Sequence, residues 1–285
     1  MQPLPANSTH IIKIASININ GIRSPTRVGM LTEFLRKQDI DNAMIKEIVD
    51  PESVSINDYH AHTNIGQNMR GTAIIARKDL HITQIERIPS GRAIAAEFHG
   101  TRILNAYAPS GTSKRTQRES FFLTELPVLP SADAQTILLG GDFNCTLQPA
   151  DSTGPSTHSK ALEEIRGLAL TYTLERDPKR PAYTHYAPTG AKRIDRIYLS
   201  KANSNRKTGI EIIPTAFTDH HAVVLRLTTP PHEARKTRGR WKMDRNLAQD
   251  DAIRSKLKRE WEQWRKHKRF YPDVAEWWER HIKNT

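Results

Sequence analysis

Over the first 228 residues, short apolar runs alternate with segments of helical period. Eight runs predict β-strands: HIIKIASI (10–17), NAMIKEI (42–48), TAIIARK (72–78), AIAAEF (93–98), RILNAYA (102–108), TILLGG (136–141), RIDRIYL (193–199) and AVVLRL (222–227). Several are continuously apolar rather than alternating, the pattern of strands covered on both faces. Three segments predict helices. PTRVGMLTEFLRKQ (25–38) puts Val28, Leu31, Phe34 and Leu35 on one face. TQRESFFLTEL (116–126) opens with Thr116 and Glu119 at capping-box spacing and stops before Pro127. SKALEEIRGLAL (159–170) groups Leu162, Ile165 and Ala169. HYAPTGAKR (185–193) predicts a hairpin with its turn at Thr189-Gly190. Buried strands interspersed with helices predict the α/β class, a sandwich of sheets under helices.

The pattern changes near TTPPHEARKTRGR (228–240), where prolines and then a basic run predict a linker. The expected organisation is a domain over 1–228 and a basic linker and helical tail over 229–285. More than half of the net charge of +12 lies in the tail, as do all five tryptophans: Trp241, Trp261, Trp264, Trp277 and Trp278. Ile253, Leu257, Trp261 and Trp264 form one helical stripe there.

Charge narrows the partners. A net charge of +12 and a pI near 9.8 point to an anionic partner, nucleic acid first. The mean hydropathy of −0.63 and the lack of an apolar run approaching the ~20 residues of a membrane span predict no membrane partner. No secretory signal is visible at the N-terminus. The one cysteine, Cys145, predicts no disulfide and no cysteine metal cluster.

Polar residues interrupt the apolar runs near their ends: Asn18 and Asn20, Glu47, Asn105 and Tyr107, Asp142 and Asn144, Asp195, and Asp219 with His220 and His221. Residues two apart on a strand share a face. Carboxylate and amide oxygens without thiolates suit a hard cation such as Mg²⁺ or Mn²⁺. A histidine beside an aspartate is held charged. Together with the basic balance, these residues predict metal-assisted attack of water on a phosphodiester. Single Asp and Asn residues near strand ends also serve as turn formers, and the residues alone leave both readings open.

In order and spacing, SININGIR, IKE, NAYAPS, GGDFN, RIDRIYLS and TDHHAV resemble the endonuclease/exonuclease/phosphatase superfamily, the DNase I and exonuclease III-like enzymes. Within it, the chain is similar to the endonuclease domain of LINE-type non-LTR retrotransposon polyproteins. The resemblance covers residues ~10–228. It implies a four-layer α/β sandwich with the site at one end of two packed sheets. It also implies a Mg²⁺-dependent endonuclease, with Mn²⁺ able to substitute, that nicks duplex DNA to leave a 3′-hydroxyl. That end would prime reverse transcription by a following reverse-transcriptase domain, in the nucleus. By motif match, Glu47, Asn18, Asn20 and Asp219 would surround the metal. Asp142 would activate the water and Asn144 would help hold it. His220 would face the phosphate, oriented by Asp195, with Tyr107 near the developing charge. Thr184 would hydrogen-bond phosphate, and Lys192 and Arg193 on the hairpin would grip the DNA backbone.

Two positions depart from the family pattern. Lys46 stands where the family usually has glutamine, and there it would add charge beside the metal or grip phosphate. Lys192-Arg193-Ile194 stands where abasic-site endonucleases carry a tryptophan, which disfavours the repair reading. An abasic-site endonuclease, a phosphatase acting on small molecules or lipids, and a decayed DNA-binding copy are the rival expectations.

Overall fold

The computed structural model describes residues 11–66, 70–98, 100–128, 137–167, 170–172, 182–228 and 251–267. The elements in chain order are β1 (Ile11–Asn18), α1 (Pro25–Lys37), β2 (Asn42–Ile48), β3 (Tyr59–Asn64), β4 (Gly71–Arg77), β5 (Ile82–Arg87), β6 (Ala93–Phe98) and β7 (Thr101–Tyr107). They continue with α2 (Arg115–Ser120), β8 (Ile137–Asp142), α3 (Lys160–Gly167), β9 (Leu170–Tyr172), β10 (His185–Ala187), β11 (Gly190–Lys192), β12 (Asp195–Ser200), β13 (Lys207–Ile213), β14 (Ala222–Thr228) and α4 (Asp251–His267). All eight predicted strands are present.

Two six-stranded mixed sheets result, in the orders β13-β14-β1-β2-β4-β3 and β5-β6-β7-β8-β12-β9. Each has one parallel pair at its centre, β1 with β2 and β7 with β8. A parallel pair requires a crossover; α1 supplies the first, and the segment containing α2 supplies the second. The central strands β2 and β7 are buried along their whole length, which accounts for apolar residues on both of their faces.

Three apolar clusters define four layers. Ile14, Met44 and Val223 of the first sheet meet Ile94, Leu138 and Ile197 of the second in the middle. Leu31 and Leu35 of α1 pack on the outer face of the first sheet. Phe121, Phe122 and Leu162 cover the outer face of the second. The order is therefore helix, sheet, sheet, helix, the α/β sandwich. Burial is what holds α1. Ser24 makes no side-chain cap, and a cap or end charge is worth ~0.3–1 kcal/mol. Burying Leu31 and Leu35 contributes about 1.5–3 kcal/mol each.

Three local expectations need correction. Thr116 and Glu119 form no capping box: α2 starts at Arg115 without a side-chain cap, and Glu119 Oε2 instead accepts Ala161 N–H at the start of α3. The helical segment then widens into a π turn over Phe121–Glu125. The hairpin turn falls on Pro188-Thr189, because Ala187 pairs with Gly190. Gly140 and Gly141 lie inside β8, where a Cβ on Gly140 would strike the Met44 thioether and one on Gly141 the Ala106 carbonyl. They are glycines so that the sheets and strands can approach closely.

The chain divides into two compact units, Met1–Thr237 and Arg238–Thr285. In the second unit, α4 confirms the helix predicted from the stripe. Trp261 is exposed; the side chains of Ile253, Leu257 and Trp264, and all of Trp241, Trp277 and Trp278, lie outside the described residues, as does Ala169. Among the described residues, no helix is long and apolar enough to cross a membrane.

The close approach at β8 makes a graded prediction. Gly141→Ala meets rigid backbone and is expected to cost ~1–3 kcal/mol or more in urea unfolding. Gly140→Ala meets the mobile end of Met44 and should cost less. Equal stability of wild type and Gly141→Ala would contradict the packing account.

Candidate active site

Asn18 ends β1, Glu47 lies near the end of β2, Tyr107 ends β7 and Asp142 ends β8. The carboxyl ends of both parallel pairs therefore carry the chemistry, the usual location for a site on an α/β sheet. Asp195 opens β12 directly opposite Asp142, and Asp219 and His220 lie two to three residues before β14 (Ala222–Thr228), which runs antiparallel to β1. Strand direction alone brings residues as far apart in the chain as Asn18 and His220 to one edge.

Asn18 links the two sheets. Its Nδ2 donates to Glu47 Oε1 at 2.9 Å and to Asp142 Oδ2 at 2.8 Å. Its Oδ1 accepts the Asn20 N–H at 2.9 Å, which fixes the orientation of the amide. In the metal-free protein the Asn18 amide nitrogen ties two carboxylates together.

Three site residues adopt left-handed backbone. Asn20 has φ +45°, Glu47 +61° and Asn144 +48°, a conformation uncommon for residues other than glycine and associated with functional sites. Strand periodicity therefore does not extend to Asn20 or Asn144, which lie past the ends of β1 and β8. Asn144 is held by its own N–H donating to Asp142 Oδ1 and by Nδ2 donating to Ala108 O, both at 2.9 Å. Between them, Phe143 packs on Phe122 and Tyr198, as expected of a residue facing the core.

His220 and Asp195 form a buried pair, Nδ1 to Oδ2 at 2.8 Å. Burial opposes the charged ring, but Asp195, Asp142 and Asp219 outweigh it and raise the His220 pKa to about 9. Asp195 is pulled the other way: burial raises its pKa, while His220, Lys46 and the Thr184 hydroxyl hold it below the usual range. Burial and then the Asp195 charge push Asp142 up to about 6, against the donors from Asn144 and Asn18. The Tyr107 hydroxyl is raised by burial and by Asp142; its ring carries the Arg92 guanidinium 5.3 Å from the centroid. His185, which the sequence did not single out, stacks 4.6 Å from His220 and faces Asp219. His221 instead stacks on Tyr186.

Thr184 and Arg193, expected at the phosphate and the DNA backbone, and Lys46, expected beside the metal or at the phosphate, are all buried. Thr184 is fully buried, and its Oγ1 accepts the Ile194 and Asp195 N–H groups; it positions Asp195. Arg193 is buried on Asp151, which it shares with Arg196, so it braces the base of the hairpin instead of gripping DNA. Lys46 is also fully buried, with Nζ donating to Ser16 Oγ at 2.6 Å and to Met44 O at 3.3 Å. Burial lowers its pKa to about 8 against the pull of Asp195 and Asp142. It lies between the sheets and cannot reach a phosphate. Lys192 stays on the hairpin's return strand, opposite His185. Cys145 is buried, with its thiol pushed up to about 11 by desolvation, which makes a nucleophilic role untenable.

The site also fits a divalent cation. Glu47 Oε2 and Asn20 Oδ1 converge on one point, and a cation already sits there: Arg70 Nη1 donates to both, at 2.8 Å to Asn20. Asn20 Nδ2 in turn donates to Asp219 Oδ1 at 3.1 Å. Carboxylate and amide oxygens are the donor set of a hard cation. Two other groupings, His185-Asp219-His220 and Asp142-Asp195-His220, place candidate ligand atoms within 4.8 Å of one another. Both depend on His220, and a protonated imidazole is no ligand.

Solved structures share this fold. The 3′-5′ exonuclease (NExo) from Neisseria meningitidis superposes with a TM-score of 0.65 at 21% identity, over 76% of this chain and 99% of that one. An AP endonuclease from Archaeoglobus fulgidus gives 0.63 at 19%, over 75% and 98%. Residues 15–220 match the Endonuclease/Exonuclease/phosphatase family, and the chain belongs to it. Among relatives, it is 24% identical over 300 residues to the Transposon TX1 uncharacterized 149 kDa protein of Xenopus laevis, covering 94% of this chain but 22% of that protein. It is 25% identical over 195 residues to the exodeoxyribonuclease of Bacillus subtilis (strain 168), covering 63% of this chain and 72% of that one. The chain thus spans about a fifth of the length of the transposon protein.

The raised His220 pKa has a definite sign. The stabilisation from its ion pair is fully present below pH 6.5 and is lost as pH rises through about 9. NMR titration of the His220 ring in EDTA should show a midpoint near 9, and a lower one in Asp195→Asn. A wild-type midpoint near 6.5 would contradict the buried pair.

Proposed function

We propose that the chain is a divalent-cation-dependent DNA endonuclease that nicks one strand of a duplex and leaves a 3′-hydroxyl. The observation that carries the reading is the Asn18 amide bridging Glu47 of one sheet and Asp142 of the other, with the charged His220–Asp195 pair beside them. Residues 1–228 are the catalytic domain and 229–285 a basic linker and helical tail. The likeness to a transposon protein more than four times the aligned length supports a nick that serves a later domain of a longer chain; that nick would prime reverse transcription, and its place would be the nucleus.

Glu47, Asn20 and Asp219 would hold Mg²⁺ or Mn²⁺, whose charge offsets the negative charge that gathers on the phosphate oxygens. Asp142 accepts the proton of the attacking water. Its raised pKa makes it a stronger proton acceptor than an ordinary carboxylate while leaving it largely ionised above about 6. Asn144, held by Asp142 and Ala108, fixes the water's place. Water oxygen bonds to phosphorus and the bond to the 3′ oxygen breaks, giving a 5′-phosphate and, after protonation, a 3′-hydroxyl. Asp195 occupies Nδ1 of His220, so Nε2–H remains for a phosphate oxygen. Tyr107 offers its hydroxyl to the same charge. The net charge of +12 favours the DNA backbone, with binding that weakens as salt rises.

Nicking of supercoiled plasmid tests this reading. EDTA should abolish it, and Asp142→Asn should lower the rate at least ~10²-fold. The nick should be extended directly by a DNA polymerase, and an abasic duplex should be cut no faster than an intact one. A nick that cannot be extended, or no nicking by folded protein in Mg²⁺ and Mn²⁺, would contradict the proposal.

A further inference from the structure

Arg70 precedes β4, and its place follows from strand pairing. β4 runs antiparallel to β2 with Thr72 opposite Lys46 and Gly71 opposite Ile48, which leaves Glu47 as the unpaired residue of a bulge. A bulge re-aims one side chain, and the φ of +61° at Glu47 completes the change. Arg70 therefore sits across from the bulge. Its Nη1 donates to Glu47 Oε2 and to Asn20 Oδ1. The guanidinium lies over Gly21, where a Cβ would be 3.6 Å from Arg70 Cζ. Its charge also bears on Tyr107. The same two oxygens are those assigned above to a divalent cation, and one pair of oxygens cannot serve two cations at once.

We propose that Arg70 is a cation-responsive latch: it holds Glu47 and Asn20 in the cation-free protein, and the divalent ion must displace it to bind. The inference rests on the metal-site reading of Glu47 and Asn20. Three features suit the role. Arg70's side chain is 45% exposed while that of Glu47 is 11% exposed, so the arginine can leave into solvent and the carboxylate stays. An ion pair with one half-exposed partner is weak enough to exchange, and a small doubly charged ion on the same oxygens outcompetes it. Without either cation, Glu47 would stand uncompensated one amide away from Asp142. Arg70 thus keeps the site assembled before metal arrives and sets how tightly metal then binds.

The test is Mn²⁺ binding by calorimetry without DNA, on the whole chain, for wild type, Arg70→Ala, Arg70→Gln and Glu47→Gln, with circular dichroism to confirm folding. Arg70→Ala and Arg70→Gln should bind Mn²⁺ about 3- to 10-fold more tightly than wild type, while Glu47→Gln loses binding. Thermal unfolding gives a second readout: both Arg70 variants should melt below wild type in EDTA, with the gap closing in saturating Mn²⁺. Equal or weaker Mn²⁺ binding in the Arg70 variants, with binding still lost in Glu47→Gln, overturns the latch and leaves the metal site standing. Binding by Glu47→Gln at wild-type strength overturns the metal assignment and the latch with it.

Discussion

Three buried carboxylates at one edge, Glu47, Asp142 and Asp195, impose the constraint that organises this molecule. Ionised groups away from water require donors or opposite charge close by. Each has them: Asn18 serves Glu47 and Asp142 together, Asn144 N–H serves Asp142, and His220 serves Asp195. Lys46 adds a buried positive charge from between the sheets. The acids are unequal as a result. Asp195 is held ionised against the ring, whereas Asp142 is pushed toward the basicity a proton acceptor needs.

The fold makes this gathering possible. Two parallel pairs, each crossed over by helix on the outer face, pack by their inner faces and bring four carboxyl ends to one edge. Polar side chains join the sheets at the same end: Asn105 Nδ2 donates to Ile45 O and Ala73 O, and Asn64 Nδ2 donates to Ile88 O and Ala93 O. The left-handed residues Asn20, Glu47 and Asn144 sit where the strands give way to the site. Such backbone persists only where surrounding contacts enforce it.

The sequence was most legible where burial writes an unmistakable pattern. Every predicted strand is present, and the strands it did not reveal, β3, β5, β9 and β13, are the outer strands of the two sheets. Edge strands face solvent on one side, so β3 and β5 are mixed in polarity along their length. The gathering of Asn18, Glu47, Tyr107, Asp142, Asp195 and His220 was also legible, through the order and spacing of the motifs at the strand ends that resemble the family. What single residues do there was less so. Thr184, Arg193 and Lys46 look like phosphate ligands by type, but depth decides otherwise, and depth at a strand end depends on the neighbouring sheet. Arg70 left no sequence signal, because its partner is set by a bulge in a different strand.

Anomalous diffraction from a Mn²⁺-soaked crystal tests the central claim most directly, that both sheets together build one cation-assisted site. The account predicts a peak beside Glu47 and Asn20, with the Arg70 guanidinium displaced from it. A peak confined to Asp142, Asp195 and His220, or to His185 and Asp219, with Arg70 still on Glu47, would contradict it.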